Sequence, residues 1–136
     1  MITAYTMTAA KGNRQGIGIV YKKDGNELVC NSFSRADKEH LGDDSAAIYA
    51  VTAVINDCKK IAQVTGDTDV TLATLNENVL SLDTGELLNH CELSEKLLEY
   101  VIASSETLDI SFVKAYDKMQ KEMEKALSLA QNALKA

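Results

Sequence analysis

The 136 residues carry 46% hydrophobic and 25% charged side chains at a net charge of −6, enough apolar material for one packed domain (1–136) and too little chain for two. The charge is lopsided: residues 1–60 hold eight Lys/Arg against seven Asp/Glu, and residues 61–136 hold six against thirteen. A phosphate backbone needs a basic footprint, which excludes the acidic second half and leaves only the first sixty residues to face nucleic acid.

The first predicted elements are two strands, "ITAYTM" and "GIGIVYK", joined by a polar "KGNRQ" loop. The Gly16-Ile17-Gly18 triplet leads into a strand rather than a helix, so it is no dinucleotide fingerprint. Asp24-Gly25 is a hairpin signal, and the alternation of Leu28 and Cys30 in "NELVCNSF" supplies the returning strand. "SRADKEHLGDDS" follows as a polar loop. Asp43, Asp44 and Ser45 offer N-caps for a helix whose apolar face is Ala47, Ala50, Val51, Val54, Ile55 and Cys58.

"VTLATL" is a short apolar strand suited to a buried parallel position. "NENVLSL" starts a short helix, Asp83-x-x-Glu86 has the form of a capping box for a further one, and Leu97, Leu98, Val101 and Ile102 mark the face of the next. "LDISFVKAY" is a fifth strand. The last helix aligns Met119, Met123, Ala126, Leu127, Ala130 and Leu134. The resulting order, β-β-β-α-β-α-β-α, is an α/β fold with a five-stranded mixed sheet and helices on its faces.

No proline, repeat or low-complexity tract suggests a linker. No run approaches the roughly 18 apolar residues of a membrane span. "MITAYTMTAA" lacks the charged leader and long apolar core of a signal peptide. Three widely spaced cysteines, Cys30, Cys58 and Cys91, without a C-x-x-C pair, fit reduced thiols in a cytoplasmic compartment.

Four local words, in order, resemble the ribonuclease H-like family across nearly the whole chain. "AYTMTAAKGNRQGIGIVY" is similar to that family's opening strand, Y-T-D-G-S, with its G-N loop and glycine-rich second strand. "SAAIYAV" resembles R-A-E-L-Y-A-V, "LATLNENVL" resembles L-x-T-D-S-x-x-V, and "FVKAY" with "MEKALSLA" resembles V-K-G-H with N-E-x-A-D-x-L-A. The resemblance implies four carboxylates that hold two magnesium ions, whose chemistry is to clamp the attacking water and the leaving oxygen of a phosphodiester.

Residue by residue, those carboxylates fall on Met7, Ala47, Leu75 and Leu127, and the family's loop histidine falls on Tyr116. None of the four can bind magnesium, which demands oxygen ligands. The resemblance therefore implies a degenerate member, a pseudoenzyme that is no longer an enzyme and needs no cofactor. The apolar replacements either plug the old pocket or form a contact surface, since four carboxylates without metal would repel one another.

Lys11, Asn13 and Arg14 in the G-N loop, with Lys22 and Lys23 at the end of the second strand, are the candidate nucleic-acid contacts, or else an ordinary solvated surface. Asp43 and Asp44, with Glu77 and Asp117 nearby, are the candidates for a displaced metal site, against a plain capping role. His90-Cys91 are neighbours that point different ways on a helix, so Cys91 is expected to be buried rather than reactive.

Three readings follow. The first is a catalytically inactive ribonuclease H-like domain with a protein partner or a second copy of itself, serving as an adaptor, an inhibitor or part of a phage or mobile element. The second is an RNA–DNA hybrid or duplex nucleic-acid-binding module without cleavage. The third is a hydrolase with a relocated metal site.

Overall fold

The computed structural model describes residues 1–86 and 90–135. Strand β1 (Ile2–Lys11) turns through Gly12-Asn13 into β2 (Arg14–Lys23). Asp24 and Gly25 then take φ of 52° and 81°, the left-handed pair that a two-residue hairpin demands. They fold β3 (Asn26–Ala36) antiparallel onto β2. Helix α1 (Asp43–Thr65) crosses to β4 (Asp69–Thr74), which lies parallel to β1 and to β5 (Asp109–Lys114). The sheet order is β3-β2-β1-β4-β5, so the expected mixed sheet is observed, and β4 has the expected parallel place between two strands, although it ends at Thr74 and leaves Leu75 outside it, exposed.

The strand period puts Ile2, Ala4, Ile17, Ile19, Tyr21, Val70 and Leu72 on one face, buried against Val51, Val54, Ile55 and Cys58 of α1. Burying each branched aliphatic side chain contributes about 1.5–3 kcal/mol. Short α2 (Glu77–Leu80) and α3 (Glu92–Ser104) join this layer through Val79 and Leu97. The opposite face of β1 and β2 is covered by α4 (Gln120–Ala133), through Met123, Ala126 and Ala130. Gly16 and Gly18 make that contact possible: a Cβ on them would stand 2.0 Å from the Ala130 carbonyl oxygen and 1.9 Å from that of Ala126.

Several local expectations are corrected. The strand β3 extends to Ala36, so the polar loop begins only at Asp37. Leu28 is exposed, because the β2–β3 register shifts between Tyr21 and Lys22 on an edge strand. Ile102 is exposed, because α3 turns Leu93, Leu97 and Val101 towards the core. Asp83 forms no capping box: it lies in a 3-10 turn, Ser81–Thr84, and its carboxylate accepts the Phe112 N–H at 3.0 Å. Residues 87–89 of the helix expected after it lie outside the described residues.

The three cysteines are free, and burial pushes the Cys58 thiol up to about 12. Cys91 is only half-buried and caps α3, accepting the Ser94 N–H at 3.4 Å. Among the described residues no helix is long and apolar enough to cross a membrane.

Candidate functional site

β1 and β4 lie side by side and parallel, paired from Ile2↔Val70 to Tyr5↔Ala73. Their next strands lie on opposite sides, β2 beyond β1 and β5 beyond β4. Divergence of this kind opens a crevice beyond the carboxyl ends of the strands, the usual place for a ligand in an open α/β sheet. Met7 and Leu75 stand on its two lips. Ala47 enters from the first turns of α1 and Leu127 from α4. One depression of about 210 Å³ is lined by Met7, Ala47, Leu75, Asp43 and Asn76, among others. A second, of about 260 Å³, shares Met7 and Leu75 and adds Tyr116, Asp117, Met123, Glu124 and Leu127. The four positions singled out in the sequence are thus brought together around one crevice.

The polar groups of the first depression are occupied by one another. Thr8 Oγ1 donates to Asp43. Asn76 Nδ2 donates to Asp43 Oδ2 at 2.8 Å and to Asp44 Oδ1 at 2.9 Å. The same Asn76 caps α2, its Oδ1 accepting the Val79 N–H at 2.9 Å. Sequence reasoning missed this residue. Its position just before a helix signals a cap, but the partners 33 and 32 residues away are set by the fold alone. Glu77 is ion-paired with Lys114 at 3.2 Å, and Asp117 lies at the second depression.

The side chains of Met7, Ala47, Leu75 and Leu127 offer no oxygen to magnesium, and the two Asp43 oxygens accept hydrogen bonds from Thr8 and Asn76. Among the described residues no three His, Cys, Asp or Glu side chains gather to hold a metal. Nor are Asp43 and Asp44 the expected caps: Gly42 is the N-cap of α1, without a side-chain hydrogen bond. The two aspartates sit in the first turn, where the helix dipole favours negative charge.

The entry to α1 is held from the loop before it. Asp37 accepts the N–H of Gly42 at 2.8 Å and of Leu41 at 3.3 Å, and the Ser45 hydroxyl donates to its Oδ1 at 2.8 Å. Desolvation opposes ionisation of Asp37, but these hydrogen bonds outweigh it and hold the carboxyl below its ordinary value. Arg35 lies 3.9 Å over the Tyr49 ring and donates at 2.6 Å to both Gln15 and Glu39, which keeps the Glu39 carboxyl low.

The five basic-loop candidates split into two groups. Lys11, Asn13 and Arg14 are exposed in the turn at the crevice end of the sheet, and Arg14 donates to Ser34 Oγ at 2.7 Å. Lys22 and Lys23 sit at the far end of β2, roughly 30 Å away at about 3.3 Å per residue. There Lys22 is paired with Glu122 at 2.9 Å, which raises its ammonium above its ordinary value, and Lys23 lies 3.7 Å from Asp67. His90 is exposed, 4.0 Å from Glu95, and His40 lies in the loop before α1 at φ 57°.

No family model matches the sequence, and no curated protein sequence matches it. Solved structures do match. Ribonuclease H1 from the halophilic archaeon Halobacterium salinarum is 20% identical, with a TM-score of 0.76 over 98% of this chain and 97% of that one. LC11-RNase H1, isolated from compost by a metagenomic approach and solved in complex with an RNA/DNA hybrid, is 21% identical, with a TM-score of 0.77 over 98% and 99%. The N-terminal RNase H domain of a Mycobacterium tuberculosis protein is 16% identical, with a TM-score of 0.76 over 97% of both chains.

These neighbours correct the expectation that the chain is not an enzyme. They are ribonuclease H1 structures and an RNase H domain, and four apolar side chains in a crevice are no demonstration of inactivity. In strand order, helix placement and whole-length superposition, this chain has the ribonuclease H fold.

Proposed function

We propose that the chain is a nucleic-acid-binding module that takes RNA–DNA hybrid or a related duplex on the face carrying its β1–β2 turn and the adjoining crevice. The observation that supports this most directly is its likeness, over 98% of its length, to a ribonuclease H1 solved in complex with such a hybrid. Lys11 and Arg14 are exposed in the turn at the crevice end of the sheet, and on this reading their cations neutralise phosphates. Lys22 and Lys23 face carboxylates at the other end and contribute little. With a net charge of −6, binding rests on a few local cations and weakens steeply with salt. The protein-binding role expected from the acidic balance finds no support among the neighbours, so the nucleic-acid reading takes its place.

The test is a titration of labelled RNA–DNA hybrid at low salt, repeated at rising salt, with magnesium or manganese present and the integrity of the hybrid followed in the same tubes. The wild-type chain is expected to bind with a salt-dependent midpoint. Lys11→Glu with Arg14→Glu is expected to weaken binding and to reduce the slope of log K against log salt by about 2, one for each phosphate no longer neutralised. Absence of binding at low salt, or binding indifferent to the double reversal, refutes the reading.

A further inference from the structure

We infer that the depression between Leu75 and Tyr116 receives the face of one unpaired nucleobase, at a strand end or overhang, rather than a phosphate. This rests on the nucleic-acid reading above and names what that site takes. Leu75 is 52% exposed and Tyr116 57% exposed. These two large apolar groups stand open on one depression and supply apolar area to whatever enters it. Met7, Met123 and Leu127 line the same depression, whose volume is about 260 Å³.

The charges at the rim decide between base and phosphate. Asp117 and Glu124 line the depression, and among the described residues no cation does. The Lys114 ammonium, on the strand beside it, is taken by Glu77 at 3.2 Å. A phosphate entering here would meet two carboxylates without a counter-charge. A base presents a neutral, planar and largely apolar face, for which an aromatic ring beside methionine and leucine side chains is a suitable platform. The carboxylates and Gln120 remain at the edge, where base amines donate to acceptors.

Tyr116 is held in place for this role. Its backbone is extended, with φ −136° and ψ 176°. Its carbonyl accepts the Met119 N–H at 2.8 Å, and the preceding Ala115 N–H donates to Thr74 at the end of β4 at 3.0 Å. The backbone that carries the ring is thereby tied to the end of β4.

The test compares three labelled hybrids of one duplex sequence: blunt, with a short 3′ overhang, and with the same overhang made abasic. Stacking of one base is expected to make the overhang bind roughly 5- to 150-fold tighter than the blunt hybrid. The abasic overhang should lose that gain. Tyr116→Ala should bring the overhang-to-blunt ratio towards one, Tyr116→Phe should preserve it, and circular dichroism of both variants checks their folding. A ratio of one in the wild-type chain, or an abasic overhang as good as the native one, overturns the inference while blunt binding upholds the broader reading. Failure of all three hybrids to bind at low salt removes both. Self-association that Leu75→Glu abolishes, together with a ratio of one, would make the face a chain-to-chain contact and overturn the inference as well.

Discussion

Gly18→Ala adds one methyl group where the backbone of α4 already stands. A Cβ there would lie 1.9 Å from the Ala126 carbonyl oxygen and 2.7 Å from the Ala130 nitrogen. Real contacts of this kind are essentially never below 3.0 Å, so the helix would have to retreat by at least about 1 Å. At an unobstructed position the same substitution stabilises by about 0.4–1 kcal/mol, through the reduced freedom of the unfolded chain. Here the obstacle is a helix backbone, which cannot swing aside as a side chain can. Retreat also loosens Met123, Ala126 and Ala130 from the sheet. Overpacking typically costs about 1–3 kcal/mol, and we expect the upper end, about 3 kcal/mol. For a chain of this size that is a fall in Tm on the order of 10 °C. Urea and thermal melts followed by circular dichroism measure it directly. A variant as stable as wild type, or more stable, would refute the close helix-on-strand approach and the account of the glycine-rich second strand. Because α4 also carries Glu124 and Leu127 to the crevice, hybrid binding should fall with it.

Tyr21→Phe removes the hydroxyl that donates to Asp57 at 2.6 Å and leaves that carboxylate with Asn31 at 2.9 Å. A hydrogen bond to a charged group is worth about 1.5–3 kcal/mol, and the urea midpoint should drop accordingly. Asn76→Ala takes away the amide shared by Asp43 and Asp44 together with the α2 cap, at a cost of about 1–3 kcal/mol by the same measurement. Asn76→Asp should cost more than Asn76→Ala, because it sets a third carboxylate against Asp43 and Asp44 in place of the amide that donates to both. Asp37, Glu39, Asp67 and Glu122 all have carboxyls held below their ordinary values in the folded chain. The stability they contribute is present above the unfolded values near 4 and is lost as pH falls through the folded ones, so Tm should decline between about pH 5 and pH 2. Asp37→Asn should make that decline shallower, and a Tm flat across the window would contradict the assignment.

Much of the architecture was legible because it is written in local periods. The spacing of Ala47, Ala50, Val51, Val54, Ile55 and Cys58 marks the buried stripe of α1, and all six are buried. Asp24-Gly25 encodes its own turn, since the left-handed pair there is set by the two residues themselves. The resemblance of four words to ribonuclease H gave the fold, and the solved structures share it. Where two elements compete for the same residues, local signals misled. Asp83 has the spacing of a capping box, yet the N–H of Phe112, 29 residues on, claims its carboxylate.

The crevice was legible only in part. Met7, Ala47, Leu75 and Leu127 could be named from the sequence, but whether they plug the site or remain open depends on how far α4 covers the sheet. Gly16 and Gly18 draw α4 over β2 and β1, which leaves Leu75 and Tyr116 more than half exposed beside it. The basic residues show the same limit from the other direction. Lys11, Asn13, Arg14, Lys22 and Lys23 lie within 13 residues of one another along the chain. An extended strand carries the last two some 30 Å away, where Glu122 and Asp67 face them. Composition and period, which act through neighbouring residues, determined the strands, the helices and the acidic balance. The tertiary structure decided which charges are free and which apolar groups stay open, because both depend on partners that only folding brings within a few ångströms.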